Sequence, residues 1–449
     1  MTGTVAGTDA TVDGLRTFAY PADSPRAVIL VRTPYDARSH HAESVNWAAR
    51  GFTTVVQDVR GRYGSEGTFR PYHCEGTDGV NTLDWITAQP WWTDSLKIVL
   101  YGASYGAHCA VETAVEATRS GYDHLGGVSV VVPALGMGET ARNRDGSFYL
   151  ESRYGWWAQH GDARVSRRYS CEGGVLETLP VSGIGARTEP SISSWDSVLS
   201  ADRSDEERSN TVAALNLPLL VQGGTMDWFA QDSVDLWSSW GGPSALALGP
   251  WDHGMRGSRR AERMNSWLND VLDGRPWTGA RAYGNPAGPV DLESWPTARR
   301  TAILPGGFFL ADPKRPFPSR EPGSNVQDLL SRPDCLVLPV RWHPGIVVGT
   351  PIVRIETDDR DRQWGALLLV CGRDGRAVQL AHGMSLGALI HLSPVSTYID
   401  QGEELFVIVS AHSFPRHARD LHSGEDHLYG ARMVTALRSV IGVELAMPV

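Results

Sequence analysis

The sequence predicts an α/β protein with an inserted helical cap and a C-terminal all-β unit. Three observations lead to this. Buried-strand runs alternate with helix-like segments early in the chain, these runs disappear between residues 135 and 215, and short strand candidates dominate beyond residue 286. A chain of 449 residues is long enough for more than one core. We therefore expect core segments at 1–134 and 216–285, a cap at 135–215 and a β unit at 286–449.

The first core segment shows a βαβ rhythm. Apolar runs at 27–32, 53–60, 97–101 and 128–132 are typical of buried strands, and the chain around 42–50 can form a helix. After the third run, Ala107, Ala110, Val111 and Ala114 repeat at helical spacing. This alternation predicts a mostly parallel sheet that is covered by helices on both faces.

The rest of the chain divides into three stretches. Residues 135–215 mix charges and turn formers with aromatics, which favours a largely helical cap. Strands resume at 218–222 and 245–248, and a helix is expected at 259–272. Strand candidates then follow at 301–304, 336–340, 346–357, 365–371, 378–381 and 404–410, with a hairpin turn at 373–376 and a helix expected in the last 25 residues. Such spacing predicts an antiparallel sandwich or jelly roll.

Composition excludes several classes of function. The formal net charge of −10 disfavours binding to nucleic acid or to an anionic membrane surface, and no stretch approaches the length of a membrane span. The five cysteines (Cys74, Cys109, Cys171, Cys335 and Cys371) show neither CxxC pairs nor metal-like spacing, so we expect them to be reduced and no metal to be bound. The N-terminus lacks a basic region followed by an apolar run, and we therefore expect a cytoplasmic protein.

Ser104 is the predicted nucleophile. It is the central residue of Gly102-Ala103-Ser104-Tyr105-Gly106, a G-x-S-x-G motif that lies between a strand candidate and a helix candidate. That context is the one the motif requires, because a sharp strand-to-helix turn strains the serine and exposes its hydroxyl. Close passage of the chain leaves room only for glycine at the two outer positions, and the helix N-terminus favours developing negative charge. An ordinary glycine-rich turn is the alternative.

A serine nucleophile needs a base and an acid downstream in the chain. Asp227 follows the strand at 218–222 and His253 follows the strand at 245–248, so both are expected at the carboxyl edge of the sheet, where ligands bind. Other candidates are less well placed: Asp232 and Asp235 fall on a probable helix, Asp252 adjoins His253, His108 lies within the helix after Ser104, and nothing in their spacing requires His40 or His41.

An oxyanion hole should complete the site. The backbone N–H of Tyr105, directly after the nucleophile, is one expected donor. The second normally comes from the loop after an early strand, here Arg32-Thr33-Pro34-Tyr35-Asp36. Pro34 has no N–H, whereas the Tyr35 hydroxyl is a donor. Spacing alone leaves open whether Tyr35 instead packs under the sheet.

Five ordered motifs point to a known family. RTPYD (32–36), QDVRGRYGSEG (57–67), GASYGA (102–107), GGTMDWF (223–229) and GPWDHG (249–254) resemble the cocaine esterase-like (CocE/NonD) serine hydrolases, which are related to X-Pro dipeptidyl-peptidases and α-amino acid ester hydrolases. GRDGR (372–376) and SFPRH (413–417) extend the likeness to the C-terminal third. The resemblance implies an α/β-hydrolase core, a helical cap and a jelly roll. It also implies a triad of Ser104, Asp227 and His253, an oxyanion hole of Tyr35 and the Tyr105 N–H, and structural ion pairs for Arg60 and Arg62.

The sequence thus predicts a serine hydrolase that cleaves a small ester or amide through an acyl-enzyme, without a cofactor. An acyltransferase or a peptidase would use the same residues, and a non-catalytic ligand-binding protein is a further alternative. Several of the 16 tryptophans fall near motif loops, and Trp157, Trp228 and Trp251 are expected to line a substrate pocket. The sequence leaves open whether the protein forms a homodimer.

Overall fold

A large mixed sheet dominates the first two-thirds of the chain in the computed structural model, which describes residues 7–169, 174–296, 300–359 and 361–448. Its ten strands are β1 (Thr8–Val12), β2 (Leu15–Tyr20), β3 (Ala27–Thr33), β4 (Phe52–Asp58), β5 (Ile98–Ala103), β6 (Leu125–Val131), β7 (Leu219–Gly224), β8 (Ser244–Gly249), β9 (Gly279–Ala282) and β10 (Val290–Leu292). They lie in the order β1-β2-β4-β3-β5-β6-β7-β8-β9-β10. Strands β3 to β9 pair in parallel, and β1, β2 and β10 extend the two edges antiparallel.

Helices cover this sheet because its strands are apolar on both faces; β3 and β4 are buried at every position. The helices of the core are α1 (His41–Ala48), α2 (Glu75–Thr87) and α3 (Tyr105–Arg119), and, after the cap, α9 (Ala230–Ser239) and α10 (Arg260–Leu272). Helix α3 packs its small residues Ala107, Ala110 and Ala114 into the core. Small side chains let this helix approach the sheet closely behind Ser104.

Among the described residues between β6 and β7, five short α-helices form the cap. They are α4 (Met137–Ala141), α5 (Leu150–Gln159), α6 (Ile184–Arg187), α7 (Trp195–Leu199) and α8 (Asp205–Ala213). Phe148, Trp157, Trp195 and Val198 belong to a separate apolar cluster, which also includes Ala418 and Leu428 of the C-terminal unit. The cap therefore has a small apolar core that is separate from the core of the large sheet and includes side chains of the β unit.

The C-terminal unit is an antiparallel jelly roll. Its strands are β11 (Arg300–Ala311), β12 (Cys335–Val340), β13 (Gly345–Gly349), β14 (Ile352–Glu356), β15 (Trp364–Cys371), β16 (Ala377–Ser385), β17 (Leu389–His391), β18 (Val395–Ile399), β19 (Glu404–Ser410) and β20 (Ala436–Met447). Two four-stranded sheets, β11-β20-β14-β17 and β12-β19-β15-β16, enclose an apolar core, and β13 pairs with β18. The α/β-hydrolase core, helical cap and jelly roll match the predicted fold class.

Some elements differ from the sequence prediction. The described part of the last 25 residues, up to residue 448, forms no helix, because Val440, Val443, Leu445 and Met447 are buried in β20, which pairs with β11 and β14. The strand expected at 346–357 is two strands, β13 and β14. Strands β1 and β2 and helix α2 were not predicted, and β10 continues the core sheet past the expected boundary at residue 285.

The four cysteines that the structure describes are free, and Cys171 lies outside the described residues. Within the described ranges, no helix has the length and apolar character of a membrane span.

Candidate active site

The proposed nucleophile lies on a strained turn. Ser104 has φ 54° and ψ −123°, and it is the single residue between the end of β5 and the start of α3. A Cβ at Gly102 would lie 2.0 Å from the Gly106 carbonyl oxygen, so that position requires glycine. A Cβ at Gly106 would lie 3.2 Å from the Arg32 carbonyl oxygen, which is a milder restriction. The turn presents the Ser104 hydroxyl above the carboxyl edge of the sheet.

Three side chains from separate strand ends meet at this turn. His253 Nε2 lies 3.1 Å from Ser104 Oγ, and His253 Nδ1 lies 2.7 Å from Asp227 Oδ1. The loops after β7 and β8 are tied together, because the Thr225 and Met226 N–H groups donate to the Gly249 and Trp251 carbonyls. The Asp227 side chain is fully buried, while 43% of the His253 side chain is exposed. The arrangement is that of a nucleophile, a base and a residue that orients the base.

Tyr35 also contacts Ser104. Its hydroxyl is 3.4 Å from Ser104 Oγ, and the backbone N–H of Tyr105 hydrogen-bonds to the same phenol oxygen. The indole N–H of Trp156, from cap helix α5, donates to it at 3.1 Å. Because two donors occupy the oxygen of Tyr35, its own proton is free to point toward Ser104 or toward a substrate oxygen.

Electrostatics favour a donor at Tyr35 and a base at His253. Burial raises the pKa of Tyr35, so the phenol stays protonated at neutral pH. Burial lowers the pKa of His253, but the Asp227 carboxylate and its hydrogen bond outweigh this effect and raise the pKa above its ordinary value. A histidine with such a pKa is a stronger proton acceptor.

The loop that carries Tyr35 is anchored from below. Asp58, at the end of β4, accepts a hydrogen bond of 2.7 Å from the Ala37 N–H, and Arg62 donates to the Pro34 carbonyl at 2.9 Å. Arg60 forms an ion pair of 2.6 Å with Asp78, as expected. Arg62 differs from the expected ion pair, because its described partners are carbonyl and hydroxyl oxygens. Both arginines serve the scaffold.

Among the described residues, the other acidic residues and histidines that were weighed form no hydrogen bond with Ser104 or His253. Asp232 pairs with Arg203 at 2.8 Å, and burial raises its pKa to about 6; Asp235 pairs with Arg144. Asp252 is exposed beside His253. His108 is buried in α3, which lowers its pKa to about 4. His40 lies near Glu43, and His41 contacts the Tyr20 hydroxyl.

The three tryptophans expected at the pocket lie in different environments. Trp157 is buried in the cap cluster, with only 1% of its surface exposed. Trp251 packs on Tyr283 and under Arg263. Trp228 lines a cleft beside Asp227, where Arg416 of the jelly roll stacks on it at 4.1 Å. Of the three, Trp228 contacts the cleft most directly, and the pocket assignment remains a prediction for all of them.

One face of helix α5 is close to the site and was missed by the sequence analysis. Tyr149, at its N-cap, and Arg153, Trp156 and His160 follow one another at intervals of four, three and four residues, so they share a face of the helix. Trp156 contacts Tyr35 and stacks on the Tyr105 ring at 11°, and His160 packs edge-on against Tyr35. This helical spacing was the signal in the sequence, but nothing local tied the face to Ser104.

No metal centre accompanies these residues in the part of the chain that the structure describes, since no group of three or more His, Cys, Asp or Glu side chains there could hold an ion.

Comparison with solved structures places the fold. The chain superposes on an α-amino acid ester hydrolase with a TM-score of 0.83 and 16% identity, covering 99% of this chain and 96% of that one. An aminopeptidase from a marine sediment archaeon, Thaumarchaeota archaeon, gives 0.82 at 17% identity with the same coverage. A CocE/NonD family hydrolase from Staphylococcus aureus gives 0.62 at 12% identity, covering 98% and 91%. At these identities the likeness concerns the fold.

Comparison of sequences gives the family. A cocaine esterase from Rhodococcus sp. (strain MB1 Bresler) is 26% identical over 280 residues, which cover 54% of this chain and 46% of that relative's length. Residues 18–255 match the family model of the X-Pro dipeptidyl-peptidases (S15 family), and these residues make up more than half of the chain. The protein therefore belongs to the X-Pro dipeptidyl-peptidase (S15) family of hydrolases.

Proposed function

We propose that the protein is a serine hydrolase that cleaves a carboxylic ester or amide through an acyl-enzyme on Ser104. One observation carries the proposal: His253 Nε2 lies 3.1 Å from Ser104 Oγ while its Nδ1 lies 2.7 Å from the buried Asp227 carboxylate. This geometry lets the imidazole accept the serine proton as the hydroxyl attacks a carbonyl carbon.

The mechanism follows from the positions of the donors. Ser104 Oγ bonds to the carbonyl carbon, His253 takes the proton, and the substrate oxygen becomes an oxyanion within reach of the Tyr35 hydroxyl and the Tyr105 N–H. Collapse of the tetrahedral intermediate breaks the bond to the leaving group, which takes the proton from His253. Water, activated by His253, then releases the acid and restores Ser104. Asp227 stays ionised and fixes the tautomer of the imidazole.

Hydrolysis is favoured over acyl transfer by the exposure of the base. The His253 side chain is 43% exposed, so water reaches the side of the imidazole where the acyl-enzyme would be attacked. An acyltransferase would need to exclude this water. Product analysis with added amines or alcohols distinguishes the two, since an acyltransferase would form amide or ester products in place of the free acid.

The first test is labelling of the purified protein by a fluorophosphonate, which reacts only with an activated serine. We expect stoichiometric labelling of the wild-type protein and none of Ser104→Ala, with an unchanged circular dichroism spectrum. Absence of labelling in the wild-type protein would instead support a non-catalytic ligand-binding protein.

Tyr35→Phe tests the oxyanion donor. Loss of one such donor typically costs on the order of 10²–10³ in kcat, and we expect a loss in this range because the ring stays in place while the donor is removed. Steady-state kinetics with a 4-nitrophenyl ester measure the effect. Turnover close to that of the wild-type protein would remove the Tyr35 hydroxyl from the mechanism.

A further inference from the structure

Arg153 is a buried cation beside the proposed catalytic centre. It lies on the same face of α5 as Trp156, and only 4% of its surface is exposed. Its guanidinium lies 5.9 Å from the centre of the Phe229 ring, and Phe229 in turn packs against the His253 ring at 5.7 Å. Arg153 donates to the Tyr72 hydroxyl, and the hydroxyls of Tyr35 and Tyr149 are close enough to affect its pKa. The guanidinium therefore lies among uncharged phenols near Ser104.

Arg153 lacks the partners that the other buried arginines have. Among the described residues no carboxylate lies within 4.0 Å of it, and its Nε has no hydrogen-bond partner. The other five arginines of similar burial have carboxylate or carbonyl partners, which are Asp78 for Arg32, the Pro34 carbonyl for Arg62, Glu321 for Arg416, the Pro313 carbonyl for Arg419 and Asp420 for Arg438. Arg153 is thus the exception within this set.

A purely structural role does not account for this exception. Burying a charge without an ionic partner costs several kcal/mol, and burial lowers the pKa of Arg153, although the group stays charged. A cation–π contact at 5.9 Å returns about 0.5–2 kcal/mol. A structural arginine at this position would gain more from backbone carbonyls, as Arg62 and Arg419 do. An anion that enters with the substrate would supply the missing partner.

We propose that Arg153 binds a carboxylate of the substrate, so that the preferred ester or amide carries an anionic group in its acyl part or in its leaving group. The guanidinium offers paired N–H donors that match the two oxygens of a carboxylate. The inference rests on the proposed function, because it takes Ser104 as the attacking group. It adds a substrate class, which the triad alone does not define.

Matched substrate pairs test the proposal on the wild-type protein. For the acyl side the pair is mono-4-nitrophenyl glutarate and its neutral isostere, the 4-nitrophenyl ester of glutaramic acid. For the leaving-group side it is 4-acetoxybenzoate and 4-acetoxybenzamide. We expect kcat/KM to favour the carboxylate about tenfold or more in one pair, and that pair identifies the side on which the anion binds. Ratios near one in both pairs, with the esters hydrolysed, would overturn the proposal while leaving the proposed function intact.

Failure of the proposed function looks different. If none of the four compounds is hydrolysed and the fluorophosphonate does not label Ser104, the serine is unreactive, and the inference about Arg153 fails with it.

Variants then assign the preference to Arg153. Arg153→Met should bring the ratio of kcat/KM for the carboxylate substrate to kcat/KM for its neutral partner close to one. Arg153→Lys should retain part of this preference, because an ammonium keeps the charge without the paired donors. The ratio is unaffected by a uniform loss of activity. Arg16→Met is the matched control, since Arg16 is a partly exposed arginine of β2 paired with Asp9 at 2.7 Å, and the ratio should not change. An undiminished ratio in a folded Arg153→Met protein contradicts the proposal.

A binding measurement covers the case in which Arg153→Met does not fold. Glutarate should compete with a neutral ester on the wild-type enzyme at least tenfold more strongly than glutaramide does. Equal inhibition by the two compounds would count against the proposal.

Discussion

Opposing influences on the pKa of His253 determine the pH at which it can act as a base. Burial lowers its pKa, the Asp227 carboxylate at 2.7 Å raises it further than burial lowers it, and Arg153 lowers it through its positive charge. The net effect is a pKa above the ordinary value. Since only neutral imidazole accepts the serine proton, a raised pKa means that activity is lost as the pH falls through that value.

The pH profile of kcat/KM provides a test at this scale. We expect activity toward a neutral ester to rise with pH, with a midpoint above about 6.5. Arg153→Met should move this midpoint to higher pH, because removal of the cation favours the imidazolium. The profiles are measured at constant ionic strength with Arg16→Met as the control, because Arg16 is paired with Asp9 in β2. A shift of the Arg153→Met midpoint to lower pH would contradict the assigned electrostatics.

Residues that follow parallel strands could be located from the sequence. Asp227 and His253 each follow a strand of the sheet, and the ends of neighbouring strands meet, so their proximity to Ser104 was predictable. Arg153 and Trp156 could not be placed in this way. They lie on an inserted helix, and packing of the whole cap against the sheet decides which face of that helix meets Ser104.

At the scale of elements, helix α5 contacts Tyr35, the proposed oxyanion donor, through Trp156. Trp156 donates to the Tyr35 oxygen at 3.1 Å and stacks on Tyr105, whose own N–H reaches the same oxygen. Both contacts turn the Tyr35 proton toward the reacting atoms. Trp156 is therefore a positioning residue that acts through Tyr35.

Trp156→Phe removes the indole donor and keeps an aromatic ring. We expect kcat to fall about tenfold with little change in KM, since the loss of one hydrogen bond leaves Tyr35 less well oriented. In the double variant with Tyr35→Phe, the additional loss should vanish, and steady-state kinetics on all four proteins measure this coupling.

Trp195→Phe serves as the control for this prediction. Trp195 also donates an indole hydrogen bond within the cap, to the Val181 carbonyl, but away from Ser104. We expect the Trp195→Phe substitution to lower the Tm and to leave kcat close to that of the wild-type enzyme. Independent, additive effects of Trp156→Phe and Tyr35→Phe would argue against a positioning role.

Elements were predictable where they were locally periodic. The βαβ segments and the strands at 365–371 and 404–410 lie close to the predicted positions, because each buries a continuous or alternating apolar run. Strand β20 was mistaken for a helix, because its polar and apolar residues do not follow its buried face: Arg438 is buried, whereas Leu437 and Ile441 are exposed, and pairing with β11 and β14 determines the strand. The secondary structure of this segment therefore depends on pairing with strands that are distant in the sequence.

At the scale of the whole molecule, the jelly roll braces both the cap and the acid loop. Asp145 of the cap accepts hydrogen bonds of 2.7 Å from the backbone N–H and from the ring of His391 in β17. Ser147 contacts His417 at 3.0 Å, and Arg416 stacks on Trp228 next to Asp227. The β unit is therefore part of the support of the candidate site.

Asp145→Ala tests this brace. It leaves the His391 N–H without its acceptor, and we expect the free energy of unfolding to fall by about 1–3 kcal/mol. Asp202→Ala is the control, because this aspartate is 88% exposed in an ion pair with Arg142 and should change stability by less than about 0.5 kcal/mol. Urea denaturation followed by fluorescence compares them. Equal stabilities of the two variants would show that the contact contributes little.

The single insertion between β6 and β7 carries both Arg153 and Trp156 on one helix. If both residues act as proposed, a recombination event that exchanges this insertion would change two properties at once: the preference for an anionic substrate and the orientation of Tyr35. A recombined enzyme that accepts a new substrate would therefore have a low kcat at first. Substitutions around residue 35 would be needed to restore it.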